Sequence, residues 1–156
     1  YARWYLYSHG DTQMIEVIKR TSDKALGVAA TLWLEMTAEL FADQPDVKHD
    51  KQGWLANAKR LRDGGNYDIF FAVDDKEGVV GFSDRLLLYE PAYSMTAAHS
   101  LSIYIRKEFR GKGIRDQLAM AMEPELFPLV YIYTEHPEKW ARLGFKQSSI
   151  TMQRRF

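Results

Sequence analysis

Five cations fall within one short stretch of the chain: Arg106, Lys107, Arg110, Lys112 and Arg115. Two glycines, Gly111 and Gly113, lie among them. On the N-terminal side Leu101, Ile103 and Ile105 alternate with Ser102, Tyr104 and Arg106, the period of a strand with one buried face. On the C-terminal side Ile114, Leu118, Ala121 and Met122 recur at the spacing of one helix face. A strand that runs through a glycine turn into a helix presents unpaired backbone N–H groups at the helix start. Those donors and the helix dipole attract an anion. Glycine lets the main chain come close to it and take a positive φ. The whole chain has a formal net charge of +0, so this concentration of charge is local. It points to a polyanion, most simply a phosphate group. The turn is not a Walker loop, because Lys112 precedes glycine rather than Ser or Thr, and it lacks the G-x-G-x-x-G dinucleotide spacing.

The elements that must position this turn follow from periodicity. Met14–Lys19 reads as a strand. Thr21 or Ser22 caps a helix with Asp23 in its first turn, and Ala25, Ala29, Leu32, Trp33, Met36 and Leu40 form its apolar stripe. Glu35, Glu39 and Asp43 fall on the other face. Residues 42–49 form a loop. Asp50 caps a second helix with Trp54, Leu55, Ala58 and Leu61 on one side, closed by Gly64-Gly65. Ile69–Val73 and Val79–Phe82 make a hairpin around Asp74–Gly78, Gly81 marks a bulge, and Leu86–Leu88 extends or follows the second strand. Tyr89–His99 reads as a loop. After the organising strand, turn and helix, Pro124 stops the helix. Leu129–Tyr133 is a strand, His136–Leu143 a short helix, and residues 149–154 a final strand.

The order is β, α, α, β, β, β, α, β, α, β. Arg110-x-x-Gly113 resembles the Arg/Gln-x-x-Gly-x-Gly/Ala acetyl-CoA loop of the GNAT (GCN5-related N-acetyltransferase) superfamily, with Arg115 in place of the last small residue. Trp140-Ala141-Arg142-Leu143-Gly144-Phe145 resembles that family's Tyr-x-x-x-Gly-Phe ending, with Trp140 at the tyrosine position. The resemblance covers nearly the whole chain. It implies an α/β (α+β) three-layer fold: a central, mixed, mostly antiparallel twisted sheet of six to seven strands, flanked by helices, with two splayed strands around an acyl-CoA site. The expected organisation is one domain over residues 1–156, with 1–12 as an N-terminal extension.

The resemblance also implies transfer of an acetyl group from acetyl-CoA to an amine by direct attack in a ternary complex. Carried over, the main chain of Ile103, Tyr104 and Ile105 borders the pantetheine arm. The amides of Gly111, Lys112, Gly113 and Ile114 hold the pyrophosphate with Arg110 near by, and Arg115 swings outward to a 3′-phosphate. An alkyl ammonium has a pKa of about 10, so it must lose a proton before attack. Glu135 is the first candidate base and His99 the second. Trp140 has no ionisable hydroxyl, which leaves Tyr133 or Tyr104 to act as the acid. Thr134-Glu135-His136 stands where the family often has asparagine. Glu35, Glu39, Asp43 and Glu90 would draw a cationic acceptor.

Composition sets the remaining bounds. At 156 residues and 46% apolar content, the chain suits a single core. With no cysteine, a disulfide framework, thiolate metal site or cysteine nucleophile is excluded. The four histidines show no metal spacing, and no metal is expected. No apolar run nears the roughly 20 residues of a membrane span, so a cytoplasmic protein is the expectation. The expected partners are acetyl-CoA and an amine acceptor, small molecule or protein, with a homodimer allowed and no nucleic acid or membrane. Two other readings stay open: a GNAT-fold domain that binds CoA or a protein without turnover, and nucleic-acid binding through 106–115. The zero net charge and the lack of a helix-turn-helix or zinc spacing disfavour the last.

Overall fold

The computed structural model describes residues 4–6, 14–122, 129–132, 137–142 and 144–146. Six strands form one sheet in chain order: β1 (Trp4–Leu6), β2 (Ile15–Lys19), β3 (Tyr67–Asp74), β4 (Gly78–Glu90), β5 (Met95–Ile105) and β6 (Val130–Ile132). Neighbours pair antiparallel except β5 with β6, which are parallel. Helices α1 (Asp23–Leu40) and α2 (Lys51–Asp63) separate β2 from β3. Helix α3 (Ile114–Met120) follows β5, and α4 (Pro137–Ala141) follows β6.

Two apolar cores, one on each sheet face, make the three layers. Leu26, Ala29 and Leu32 of α1 and Ala58 of α2 pack on Tyr67, Ile69, Phe71, Phe82 and Tyr104. Ile114, Leu118, Ala121 and Met122 pack on Ile15, Val17, Phe70, Ala72 and Val80. The period-two pattern of β3 therefore serves two cores, so its interior reads as a continuous apolar run. Capping is as expected: Ser22 accepts from the Ala25 amide at 3.2 Å, Asp50 from the Gly53 amide at 2.9 Å, and Gly64 follows the last residue of α2. Trp33 stacks on Trp54 at 5.8 Å between the two helices. Leu40, expected on the buried stripe, is exposed, while its neighbour Glu39 meets Tyr104 of β5.

Three expectations need correction. Residues 89–99 are not a loop: β4 continues to Glu90, a turn occupies 91–94, and β5 starts at Met95. Residues 4–6 are an edge strand on β2 rather than a plain extension. Glu35 and Glu39 do not stand free on the far face of α1: they are ion-paired to Arg106, just past β5, and to Arg110 in the turn. The expected strand at 149–154 lies outside the described residues. No helix among the described residues is long and apolar enough to cross a membrane.

The bulge expected at Gly81 is present: Ala72 pairs with Gly81 and Val73 with Val79, which leaves Val80 as the extra residue. A Cβ at Gly81 would stand 2.7 Å from the Tyr104 carbonyl oxygen and 3.3 Å from the Ile105 Cα, both main chain. Gly81→Ala should therefore cost about 1–3 kcal/mol, read by urea unfolding, since the β4–β5 backbones must part to admit it. A loss below a few tenths would show that the strands are not held this closely.

Candidate functional site

The glycine turn is built for exposed main chain. A 3₁₀ turn at Lys107–Phe109 leaves β5, and buried Phe109 roots it in the core beneath α3. Gly111 and Gly113 take φ values of +79° and +75°, where a side chain would be strained, and nothing lies within 4 Å of where a Cβ would be. Gly113 is the N-cap of α3, and no side chain caps that helix end. The first helical bond runs from the Gln117 amide to the Gly113 carbonyl at 3.2 Å. The amides of Ile114, Arg115 and Asp116 are thus the unpaired donors of the first turn, aimed over two glycines.

The five cations do not act as one patch. Arg106 forks onto Glu35 of α1 at 3.0 and 2.9 Å. Arg110 donates to Glu39 at 2.7 Å and to the Ile105 carbonyl at 2.8 Å, with its guanidinium 5.7 Å from the Tyr104 ring centre. Its own amide bonds to the Lys107 carbonyl. Arg110 therefore braces the turn and α1 instead of facing an anion. Arg115 donates to Asp116 at 2.9 and 2.6 Å and lies over the Trp140 ring, 5.5 Å from its centre. It neither crowds the glycines nor swings free of the fold. Lys112 sits over Phe109 at 4.9 Å.

Tyr104 donates to Glu39 at 2.7 Å, and burial followed by that carboxylate pushes its hydroxyl up to about 12. The Arg110 guanidinium, then the Tyr104 hydroxyl, holds the Glu39 carboxyl below its ordinary range. With its proton held by Glu39, Tyr104 is removed from the acid role expected of it. Trp140 is buried edge-on to Phe145 at 5.6 Å, a packing position. Glu135 and Tyr133 lie outside the described residues.

The decisive geometry is at β5. Its parallel ladder with β6 comprises Ala98↔Val130, His99↔Tyr131 and Ser100↔Ile132, and among the described residues it stops there. On the other side Asp84 pairs with Ser102 but Arg85 pairs with Ser100, so Leu101 has no opposite residue. That bulge falls where the β6 ladder ends, and bulges bend and twist the strand that carries them. Beyond it, the Arg106 amide bonds to the Val80 carbonyl at 2.9 Å. By antiparallel alternation Tyr104 then bonds to Phe82, while the main-chain groups of Ile103 and Ile105 point away from β4. The Ile105 carbonyl is taken by Arg110, leaving its amide and both groups of Ile103 along a strand edge that no described residue pairs. This edge leads into the glycine turn, so the arrangement suits an extended, amide-bearing ligand with a polyanionic end.

His99 sits inside β5 rather than ahead of it. Its ring stacks on Tyr131 at 4.7 Å, on the paired side of the split. Burial lowers its pKa, against a smaller opposing pull from Glu90, so the imidazole is neutral near pH 7. Among the described residues no group of three metal-ligating side chains gathers. Sequence reasoning passed over Ser83, Asp84 and Arg85, all buried. The available signal was a polar triplet in the middle of an otherwise apolar strand, opposite Ser100 and Ser102.

Neither a protein-family model nor a curated protein sequence matches this chain. Solved structures do match in shape. AAC(6')-Iy in complex with the bisubstrate analogue CoA-S-monomethyl-acetylneamine aligns with a TM-score of 0.71 at 16% identity, over 91% of this chain and 97% of that one. The aminoglycoside acetyltransferase meta-AAC0020 from an uncultured soil metagenomic sample, in complex with sisomicin, gives 0.68 at 13% identity, over 91% and 96%. Glucosamine-6-phosphate N-acetyltransferase from Arabidopsis thaliana gives 0.67 at 16%, over 91% and 98%. At these identities the likeness is one of fold: the chain has the GNAT fold of these N-acetyltransferases.

Proposed function

We propose that the chain is an acetyltransferase that moves an acetyl group from acetyl-CoA to the amine of a small molecule. The observation that carries this is the edge of β5 beyond the Leu101 bulge, unpaired among the described residues and running into the Gly111–Gly113 turn. In this reading Ile103 and the Ile105 amide bond the pantetheine arm as an added strand would. The amides of Gly111, Lys112, Gly113 and Ile114 receive the pyrophosphate, and Tyr104 and Arg110 keep the strand end and turn in place. Arg115 borders the nucleotide end. The neighbours solved with a CoA bisubstrate analogue and with sisomicin support this donor and a small amine acceptor.

The chemistry is nucleophilic acyl transfer. A neutral amine attacks the thioester carbonyl, the C–N bond forms, the C–S bond breaks, and CoA leaves as its thiolate. Main-chain donors stabilise the developing oxyanion, and holding the two substrates together supplies much of the rate.

Calorimetric titration with acetyl-CoA tests this directly. The wild type should bind in the micromolar range. Gly113→Asp should weaken binding at least about 30-fold, because a carboxylate at the N-cap both competes for and repels the pyrophosphate. Micromolar binding retained by the variant, or none by the wild type, would remove the turn from the donor site.

A further inference from the structure

Asp84 lies fully buried in β4, beside the bulge that opens the split. Its Oδ2 accepts from the Tyr67 hydroxyl at 2.5 Å. Its Oδ1 has no hydrogen-bond partner among the described residues. The Ser102 hydroxyl and amide are near enough to favour the ionised carboxylate, and Ser102 is the residue opposite Asp84 on β5. An unsatisfied buried carboxylate oxygen is costly in free energy, and its neighbour across the strand pair, Ser102, is only half-buried.

We propose that Asp84, acting through the Ser102 hydroxyl, takes up the proton that the acceptor amine must lose, on the α1/α2 side of the split. This rests on the acetyltransferase reading above. The ammonium gives its proton to the Ser102 oxygen as Ser102 passes its own to Asp84 Oδ1. The freed amine attacks the thioester, the C–S electron pair goes to sulfur, and the amine's surplus proton goes to the thiolate. Asp84 then returns its proton to solvent through Ser102.

Geometry favours Asp84 over the other titratable groups on this face. His99 is stacked on Tyr131 where β5 and β6 are still paired, behind the gap, with Glu90 acting on it from the end of β4. Tyr104 is committed to Glu39. Tyr67 from β3 donates to Asp84 itself. Helices α1 and α2 line this face with Leu26, Ala29, Leu32 and Ala58, and the carboxylates that α1 brings to it, Glu35 and Glu39, are ion-paired to Arg106 and Arg110. Arg85 lies on the opposite face, against Phe70 and the end of α3. Burial raises the Asp84 carboxyl to about 6, against the pull of Tyr67 and Ser102. That suits a group which must be ionised at neutral pH and still accept a proton.

The test is the pH dependence of kcat/KM for acetyl transfer, alongside acetyl-CoA titration, in wild type, Tyr67→Phe, Ser102→Ala, Asp84→Asn and His99→Gln. The wild type should lose activity below about pH 6. Tyr67→Phe removes the donor that favours the carboxylate, so its acidic limb should move up by about one pH unit. Asp84→Asn should lose the limb and about 100-fold or more of the plateau, Ser102→Ala should lower the plateau, and all should still bind acetyl-CoA. An acidic limb unmoved in Tyr67→Phe and Asp84→Asn, or one removed by His99→Gln instead, overturns the proposal. So does a wild type that transfers to no amine. The titration then says whether the donor reading falls with it.

Discussion

Arg85→Met should lower stability by about 3 kcal/mol in urea unfolding. Arg85 is buried in β4, donates through Nε and Nη2 to one oxygen of Asp68 at 2.8 and 2.6 Å, and stacks over Phe70 at 5.0 Å. Its Nη1 donates to the Met122 carbonyl just past α3. Removing the guanidinium leaves a mostly buried carboxylate with one remaining ion-pair partner among the described residues, Lys19 at 2.9 Å, whose side chain is half in solvent. That partner keeps the loss near the lower end of what breaking a buried pair costs. The double variant Arg85→Met/Asp68→Leu should recover most of it, since it removes the uncompensated charge as well. The functional consequence follows from position: α3 carries the glycine turn at one end and Arg85 at the other. Acetyl-CoA affinity should therefore fall several-fold in Arg85→Met, without any change in the turn itself. A stability loss below 1 kcal/mol would mean that the buried pair is not holding the helix.

The part of this architecture that is legible in the sequence is the part governed by local rules. Ser22, Asp50 and Gly64 announce helix ends because capping needs only neighbouring atoms. Gly111 and Gly113 announce the turn because its φ values admit little else. What was hidden depends on partners far along the chain. Asp84 and Arg85 interrupt the apolar pattern of β4 between Phe82 and Leu86, and nothing near them in the sequence marks them as buried. They are buried because Tyr67 and Asp68, 17 residues earlier, receive them. Glu35 and Glu39 read as solvent-facing because the arginines they meet are 71 residues away. The Leu101 bulge has no sequence signature of its own. It is a matter of register against β4, yet it falls where the described pairing of β5 with β6 stops.

Asp84→Asn should make the protein more stable at neutral pH while making it a poorer catalyst. The Asp84 carboxyl titrates at about 6 in the fold against an ordinary value of 3.8, with burial the leading cause. A raised carboxyl pKa means that folding favours the protonated form. Its contribution to stability is therefore complete below about pH 4 and is lost as pH rises through about 6. Two units of displacement correspond to about 3 kcal/mol lost by pH 7.5. Asparagine cannot ionise, and its amide oxygen can still accept from Tyr67, so most of that loss should be absent in the variant. The melting temperature should rise by about 5–10 °C at pH 7.5, and the two proteins should converge toward pH 4. A difference that does not change with pH would mean the substitution acts through packing, and equal stability at pH 7.5 would mean the carboxylate is solvated after all. The pairing of outcomes is the informative part. Activity lost on removing a buried carboxylate that the fold would be more stable without would tie that carboxylate to chemistry rather than to folding.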